Sequence, residues 1–242
     1  MIRIIEENSE ERQLDPFEVT TNAISCVFEK GGLLQTTLGL EHRPQQETMA
    51  LQVCQSIQSD ESLLFEAGTG VGKSLAYLLP SIFFAMAAKR PCVVATHTIS
   101  LQEQLLTKDL PLCRTLFEKS PELTDFKEFK ATLLSGKANY LCTTRLAEAM
   151  KTKGQAELFE TSESNELNRI GQWAYDSARD GMRQELSPRP SPELWDRINA
   201  DSSLCSRQRC NLEECYYQRA KERISKADLI VVNHSLLFAL LG

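Results

Sequence analysis

The chain has 242 residues, 42% hydrophobic and 25% charged, with a formal net charge of −6 and a pI of about 5.3. This composition suits a globular protein long enough to bury a sizeable core, and it excludes a wholly basic nucleic-acid coat. No apolar run approaches the roughly 20 residues that span a bilayer, and the acidic N-terminus, with Glu6, Glu7, Glu10 and Glu11, has no secretory apolar core, so the reading is cytoplasmic with no membrane partner.

In chain order, residues 1–34 are polar and mixed and close on Gly31-Gly32, which reads as a lead-in of uncertain order. Pro44 opens a helix predicted to run to Ile57, with Met49, Val53 and Ile57 every fourth residue and Ala50 and Cys54 widening the apolar side. Leu63, Leu64 and Phe65 read as a strand leading into a glycine-rich loop, and Leu75 to Ala88 as the helix after it. Pro91 to Thr96 is a short apolar run of the kind found in buried parallel strands. A helix follows over Leu101 to Leu116, with Pro111 as the candidate break, and then a strand at Ala131 to Leu134. The order is that of an α/β fold with a mostly parallel sheet.

After Gly136 the texture turns to polar, charged helices, and buried-strand texture returns at Ala227 to His234. Residues 137–226 therefore read as an insertion. The first part of the parent domain occupies 35–136 and its return 227–242.

The loop Ala67-Gly68-Thr69-Gly70-Val71-Gly72-Lys73-Ser74 is a phosphate-binding pattern. Glycines let backbone N–H groups converge on phosphate oxygens, Lys73 is placed for the β and γ phosphates, and Ser74 for Mg²⁺. The helix that follows points its positive end at the same anion. The strict pattern opens on Gly, and Ala67 stands there instead.

Eight cysteines without a secretory signal argue against disulfides. Cys26, Cys54, Cys92 and Cys113 lie singly in apolar segments and read as small buried hydrophobes. Cys205, Cys210 and Cys215 recur at C-x₄-C-x₄-C in the insertion, and Cys142 stands at its start. Four thiolates suit Zn²⁺ or an iron–sulfur cluster, and the wide spacing leans to the cluster. An insertion with little to bury would gain order from such a centre. From Cys205 to Lys226, Arg207, Arg209, Arg219, Lys221, Arg223 and Lys226 outnumber Glu213, Glu214 and Glu222, so a local anionic partner fits there, as does a solvated helix face. His42, His97 and His234 sit at no metal spacing to one another and read as structural.

From about residue 40 onward these motifs resemble the iron–sulfur superfamily 2 helicases of the DinG and XPD type, most closely the bacterial DinG/YoaA branch. Arg43-Pro44-Gln45-Gln46 is similar to the family's adenine-side motif, Glu66 to Ser74 to its motif I, where Ala at the first position is common, and Val93 to Asp109 to motif Ia. Gly136 to Cys142 is similar to the segment with the first cluster cysteine, and Cys205, Cys210 and Cys215 match the other three. The resemblance implies a RecA-like P-loop motor domain carrying an inserted, largely helical [4Fe–4S] domain. It implies ATP and Mg²⁺ as cofactors, with Arg43 and Gln46 on the adenine. Single-stranded or forked DNA would be the substrate, unwound 5′ to 3′, with replication or repair proteins as partners and a nucleoid-associated location. On the same ground Thr96 and Gln102 would touch the DNA backbone; by residue type, Lys137, Arg145, Arg207 and Arg209 with Tyr140, Tyr216 and Tyr217 read as a basic and aromatic track. The family's Asp-Glu-x-His box and second motor domain are expected beyond Gly242, so the chain alone is expected to lack turnover. Competing readings are a metal-stabilised nucleotide-binding module without turnover and a small-molecule P-loop kinase.

Overall fold

A computed structural model describes residues 15–156, 162–205, 210–211 and 213–242. They fall into two compact units, one drawn from Met1–Cys92 and Gln104–Phe129, the other from Val93–Glu103 and Lys130–Gly242.

The first unit is helical. Asp15 caps α1 (Pro16–Phe28) by accepting the Phe17 N–H at 3.1 Å, and Pro16 sits in the first turn, where its missing donor does no harm. Thr20, Ala23, Ile24, Val27 and Phe28 form a buried stripe along α1. After α2 (Leu33–Thr36), that stripe packs on α3 (Pro44–Ser59) and α4 (Lys73–Ala88). The lead-in expectation is thereby corrected for residues 16–36. They form two helices joined by a turn at 29–32, because a three-to-four-residue apolar spacing lies within their polar composition. On α3 the buried side is Gln46, Met49, Ala50 and Cys54, while Val53 and Ile57 stay partly exposed.

Leu78, Leu79, Ile82 and Phe83 of α4 are fully buried. Phe83 lies 4.6 Å from Phe126 and 5.8 Å from Phe117, and Phe117 meets Phe129 edge-on at 5.5 Å. Beyond α5 (Ile99–Gln104), which belongs to the second unit, the chain takes a π-helical stretch over Leu105–Asp109 and then α6 (Leu110–Lys119). The interruption expected at Pro111 thus falls before it. Pro111 occupies the first turn of α6, where proline is tolerated. Cys54 and Cys113 are buried as expected, Cys26 and Cys92 only partly, and burial pushes the Cys113 thiol up to about 12.

The second unit holds a small sheet in the order β1 (Cys92–Thr96), β3 (Leu229–Asn233), β2 (Ala131–Leu133). β2 and β3 run parallel, pairing Ala131 with Leu229 and Leu133 with Val231. Leu229 to Val232 are all buried in this central strand, the pattern of a strand covered on both faces. The chain ends on α11 (His234–Leu241), whose cap Asn233 accepts the Leu236 N–H at 2.7 Å.

Between β2 and β3 lie α7 (Thr143–Ala156), α8 (Ser162–Asp176), α9 (Pro192–Ile198) and α10 (Tyr216–Ile224). These helices bury a core of their own. Trp195, Leu194 and Ile198 of α9 meet Leu167 and Ile170 of α8, with Tyr140, Met182 and Tyr216. The expectation that the insertion has little to bury is therefore corrected: each such side chain contributes about 1.5–3 kcal/mol of burial. Gly181, at φ +68, lies against the face of Tyr216, and a Cβ there would fall 2.1 Å from the ring. Only glycine fits that crossing.

Candidate functional site

The segment from 61 to 68 has no regular structure, and Leu64 is 99% exposed, so the strand expected at Leu63–Phe65 is corrected. Its side chains have strand propensity, but among the described residues of the first unit no neighbouring strand pairs with them, and a strand without a ladder does not form. The loop that follows turns through Gly70 (φ +82) and Gly72 (φ +85) into α4, which starts at Lys73, two residues earlier than expected. No side chain caps α4, so its first N–H groups stay open toward the loop.

Three side chains fold onto this loop. Lys73 Nζ donates to the carbonyls of Ala67 at 3.0 Å and Gly68 at 2.9 Å. Gln46 Nε2 donates to the Gly72 carbonyl at 2.8 Å, and Arg43 donates to the Gly70 carbonyl. A Cβ on Gly72 would come within 2.3 Å of Gln46 Nε2. Arg43 and Gln46, expected at adenine, each spend a donor on the glycine-rich loop. Thr69 is exposed and Val71 half-buried along the loop.

Ser74 shares a hydrogen bond with the Tyr77 hydroxyl one turn on, and burial raises Tyr77 above the usual tyrosine range, with a further push from Asp109. Asp109 is itself buried at the end of the π-helical stretch, where Gln104 Nε2 donates to its Oδ2 at 3.1 Å. Sequence reasoning missed this pair. A π-helical turn is the local signal, and it is not visible in residue spacing.

In the second unit Cys142, Cys205, Cys210 and Cys215 all line one small cavity of about 10 Å³, with Thr143, Thr144, Ala200 and Asn211. Cys142 follows an antiparallel bridge in which its N–H donates to the Ile198 carbonyl at 2.8 Å and Ala200 N–H donates to Tyr140 O at 2.8 Å. Cys205 closes a turn by donating its N–H to Asp201 O at 2.9 Å, and Cys215 is the cap of α10. Burial raises the Cys205 thiol, and Cys142 and Cys210 beside it raise it further. Among the described residues no three His, Cys, Asp or Glu side chains gather closely enough to hold a single metal ion.

The basic and aromatic track is narrower than expected. Tyr140 is fully buried, with its hydroxyl accepting the Ser135 N–H at 3.1 Å, and Tyr216 is also buried, so neither ring offers a face to a base. The Arg145 guanidinium is spent on carbonyls of α9. Arg207 and Arg209 lie outside the described residues. What stays together is Tyr217 with Lys137 Nζ at 5.4 Å and Lys221 Nζ at 5.7 Å from its ring, and Arg219 beside Tyr216. Thr96 and Gln102 are buried; the Thr96 hydroxyl donates to Thr98 O at 3.2 Å, and Gln102 Nε2 has no partner among the described residues. His42 pairs with Glu47 at 2.8 Å, and the rings of His97 and His234 meet edge-on at 6.0 Å.

No family model matches the chain. It is 35% identical over 213 residues to the ATP-dependent helicase DinG of Mycobacterium tuberculosis, covering 83% of this chain and 31% of that protein. It is 33% identical over 220 residues to the ATP-dependent DNA helicase YoaA of Haemophilus influenzae, covering 90% and 32%. With the 3'-5' exonuclease DinG of Bacillus subtilis it shares 30% identity over 199 residues, 82% of this chain and 20% of that one. The chain thus spans about a third or less of the length of these relatives. No helix among the described residues is long and apolar enough to cross a membrane.

Proposed function

The chain belongs to the DinG/YoaA family, and we propose that it supplies the nucleotide-binding and DNA-engaging portion of an ATP-dependent DNA helicase. In this reading residues 35–136 and 227–242 are a RecA-like motor domain and 137–226 its inserted iron–sulfur domain. The observation that carries it is the phosphate loop, where Lys73 rests on the Ala67 and Gly68 carbonyls beside the uncapped start of α4. An ammonium binds a phosphate oxygen more strongly than a neutral carbonyl, so the triphosphate draws Lys73 off those carbonyls and takes the open N–H groups. Ser74 then turns from Tyr77 toward Mg²⁺. Gln46 Oε1 and the remaining Arg43 donors are the atoms left for an adenine edge, while their other atoms hold the loop in shape.

Cys142, Cys205, Cys210 and Cys215 would hold a [4Fe–4S] cluster: four thiols line one cavity, and thiolates are the ligands such a cluster takes. When bound, the cluster joins four thiolates into one covalent unit. Single-stranded DNA meets the exposed part of Lys137, Tyr217, Lys221 and Arg219, where charge offsets phosphates and one ring stacks on a base. Translocation 5′ to 3′, a role in replication or repair, and a cytoplasmic, nucleoid-associated location complete the proposal.

Calorimetric titration of ATP·Mg²⁺ into the 242-residue chain tests it. Binding is expected, with hydrolysis at background, and Lys73→Ala is expected to weaken the binding at least tenfold. Equal affinity in the two proteins would remove the loop from the argument.

A further inference from the structure

We propose that Arg145 is the positioning residue of the cysteine cavity, holding the chain around Cys142 and the segment that delivers Cys205 in one arrangement. The proposal rests on the reading above that these thiols hold an iron–sulfur cluster. Arg145 stands three residues after Cys142, in the first turn of α7, and lines a second, larger cavity of about 410 Å³ together with Cys142, Cys205 and Cys210. Its Nη1 donates to Asn199 O at 2.6 Å and to Asn199 Oδ1 at 2.9 Å, and its Nη2 donates to Asp196 O at 2.6 Å. Asp196 lies in the last turn of α9 and Asn199 is its cap, so these carbonyls lack partners within the helix and carry its negative end.

Two residues further on, Asp201 sets the turn to Cys205. Its carbonyl accepts the N–H groups of Leu204 and Cys205, and its Oδ1 accepts both the N–H and the hydroxyl of Ser203 at 2.8 Å. The backbone bridge between Tyr140–Cys142 and Ile198–Ala200 joins the same two segments at one point, about which α7 could swing. The guanidinium, one turn into the helix, is a second anchor away from that hinge. Two anchors fix an angle, and the angle decides whether Cys142 and Cys205 face a common centre. Lysine keeps the charge but cannot present a planar fork to acceptors on two residues.

The test compares wild-type protein, Arg145→Lys and Arg145→Ala, all prepared anaerobically. Iron and sulfide per chain, the rate of iron release to a chelator, the paramagnetic resonance signal of the reduced protein and tryptophan emission are measured. Removing a group that orients a metal ligand typically weakens metal binding about 10–100-fold. Arg145→Ala is expected to lose iron correspondingly faster and to alter the resonance signal, Arg145→Lys is expected to fall between, and emission from buried Trp195 should stay unshifted in both. Wild-type iron content, release rate and signal in both variants would overturn the proposal. If Arg145→Ala exposes Trp195, the folded Arg145→Lys protein decides by the same measurements. Wild-type protein free of iron and sulfide would sink the cluster reading first, an outcome distinct from iron held equally by all three.

Discussion

Gly72→Ala, measured with and without Gln46, isolates what the phosphate loop requires. The residue sits at φ +85, where an L side chain costs about 1–2 kcal/mol. Its new Cβ would fall 2.3 Å from Gln46 Nε2, so the amide must move. The moving atom is the end of a flexible side chain, which makes the steric part small. The loss is the hydrogen bond to the Gly72 carbonyl, about 0.5–1.5 kcal/mol, since Gln46 is buried and its amide has nowhere wet to go. Gly72→Ala is therefore expected to destabilise the first unit by about 2–3 kcal/mol, and Gln46→Ala to lose the bond alone. In the Gln46→Ala background, Gly72→Ala should cost only the backbone strain, leaving a coupling of about 1 kcal/mol between the two sites. Urea unfolding of the four proteins reads this, with ATP affinity measured beside it. Strictly additive costs would show that Gln46 does not brace the loop.

Four further outcomes are expected. Changing any one of Cys142, Cys205, Cys210 or Cys215 to Ser should bleach the brown colour of anaerobically prepared protein, while tryptophan emission keeps Trp195 buried because the insertion has its own core. Stoichiometric zinc without iron or sulfide would refute the cluster. Cys113, pushed up to about 12 by burial, should resist alkylation at pH 8 until the protein is unfolded, and prompt labelling of the native state would contradict that burial. Joint replacement of Lys137 and Lys221 by Ala should lower affinity for single-stranded DNA and flatten its log–log salt dependence by about 0.7 for each phosphate no longer neutralised. Replacing Arg207 and Arg209 together by Ala is expected to act in the same direction, and unchanged slope and affinity in both double variants would return these charges to a solvated face.

The turn of the glycine-rich loop was legible because its pattern is local: glycines, lysine and serine are consecutive, and the structure brings Gly70, Gly72 and Lys73 into one turn. The buried strand at Leu229–Val232 was legible for a similar reason, a continuous apolar run with nothing polar to contradict it. What could not be read is what depends on partners distant in sequence. Leu63–Phe65 looks like a strand, yet strand formation belongs to the pair, and no second strand meets it among the described residues of its unit. Arg145, Tyr140 and Tyr216 look like a nucleic-acid surface by residue type, but hydrogen bonds made across as many as 54 residues tie up the first, and burial commits the other two to the interior.

The insertion shows how composition misleads about burial. Its helices average as polar, and on that average the segment would gain order from a metal centre. Key apolar residues are aligned: Leu167 and Ile170 fall three apart on α8, and Leu194, Trp195 and Ile198 lie on one side of α9, so these five reach the same core. Trp195 also donates its Nε1–H to Ala138 O at 2.7 Å, tying that core to the residues just before Cys142. A fold that orders itself can present four thiols to a cavity without being held together by what fills it. The placement of the four thiols then rests on contacts of the chain itself, such as those of Arg145 with Asn199 and Asp196.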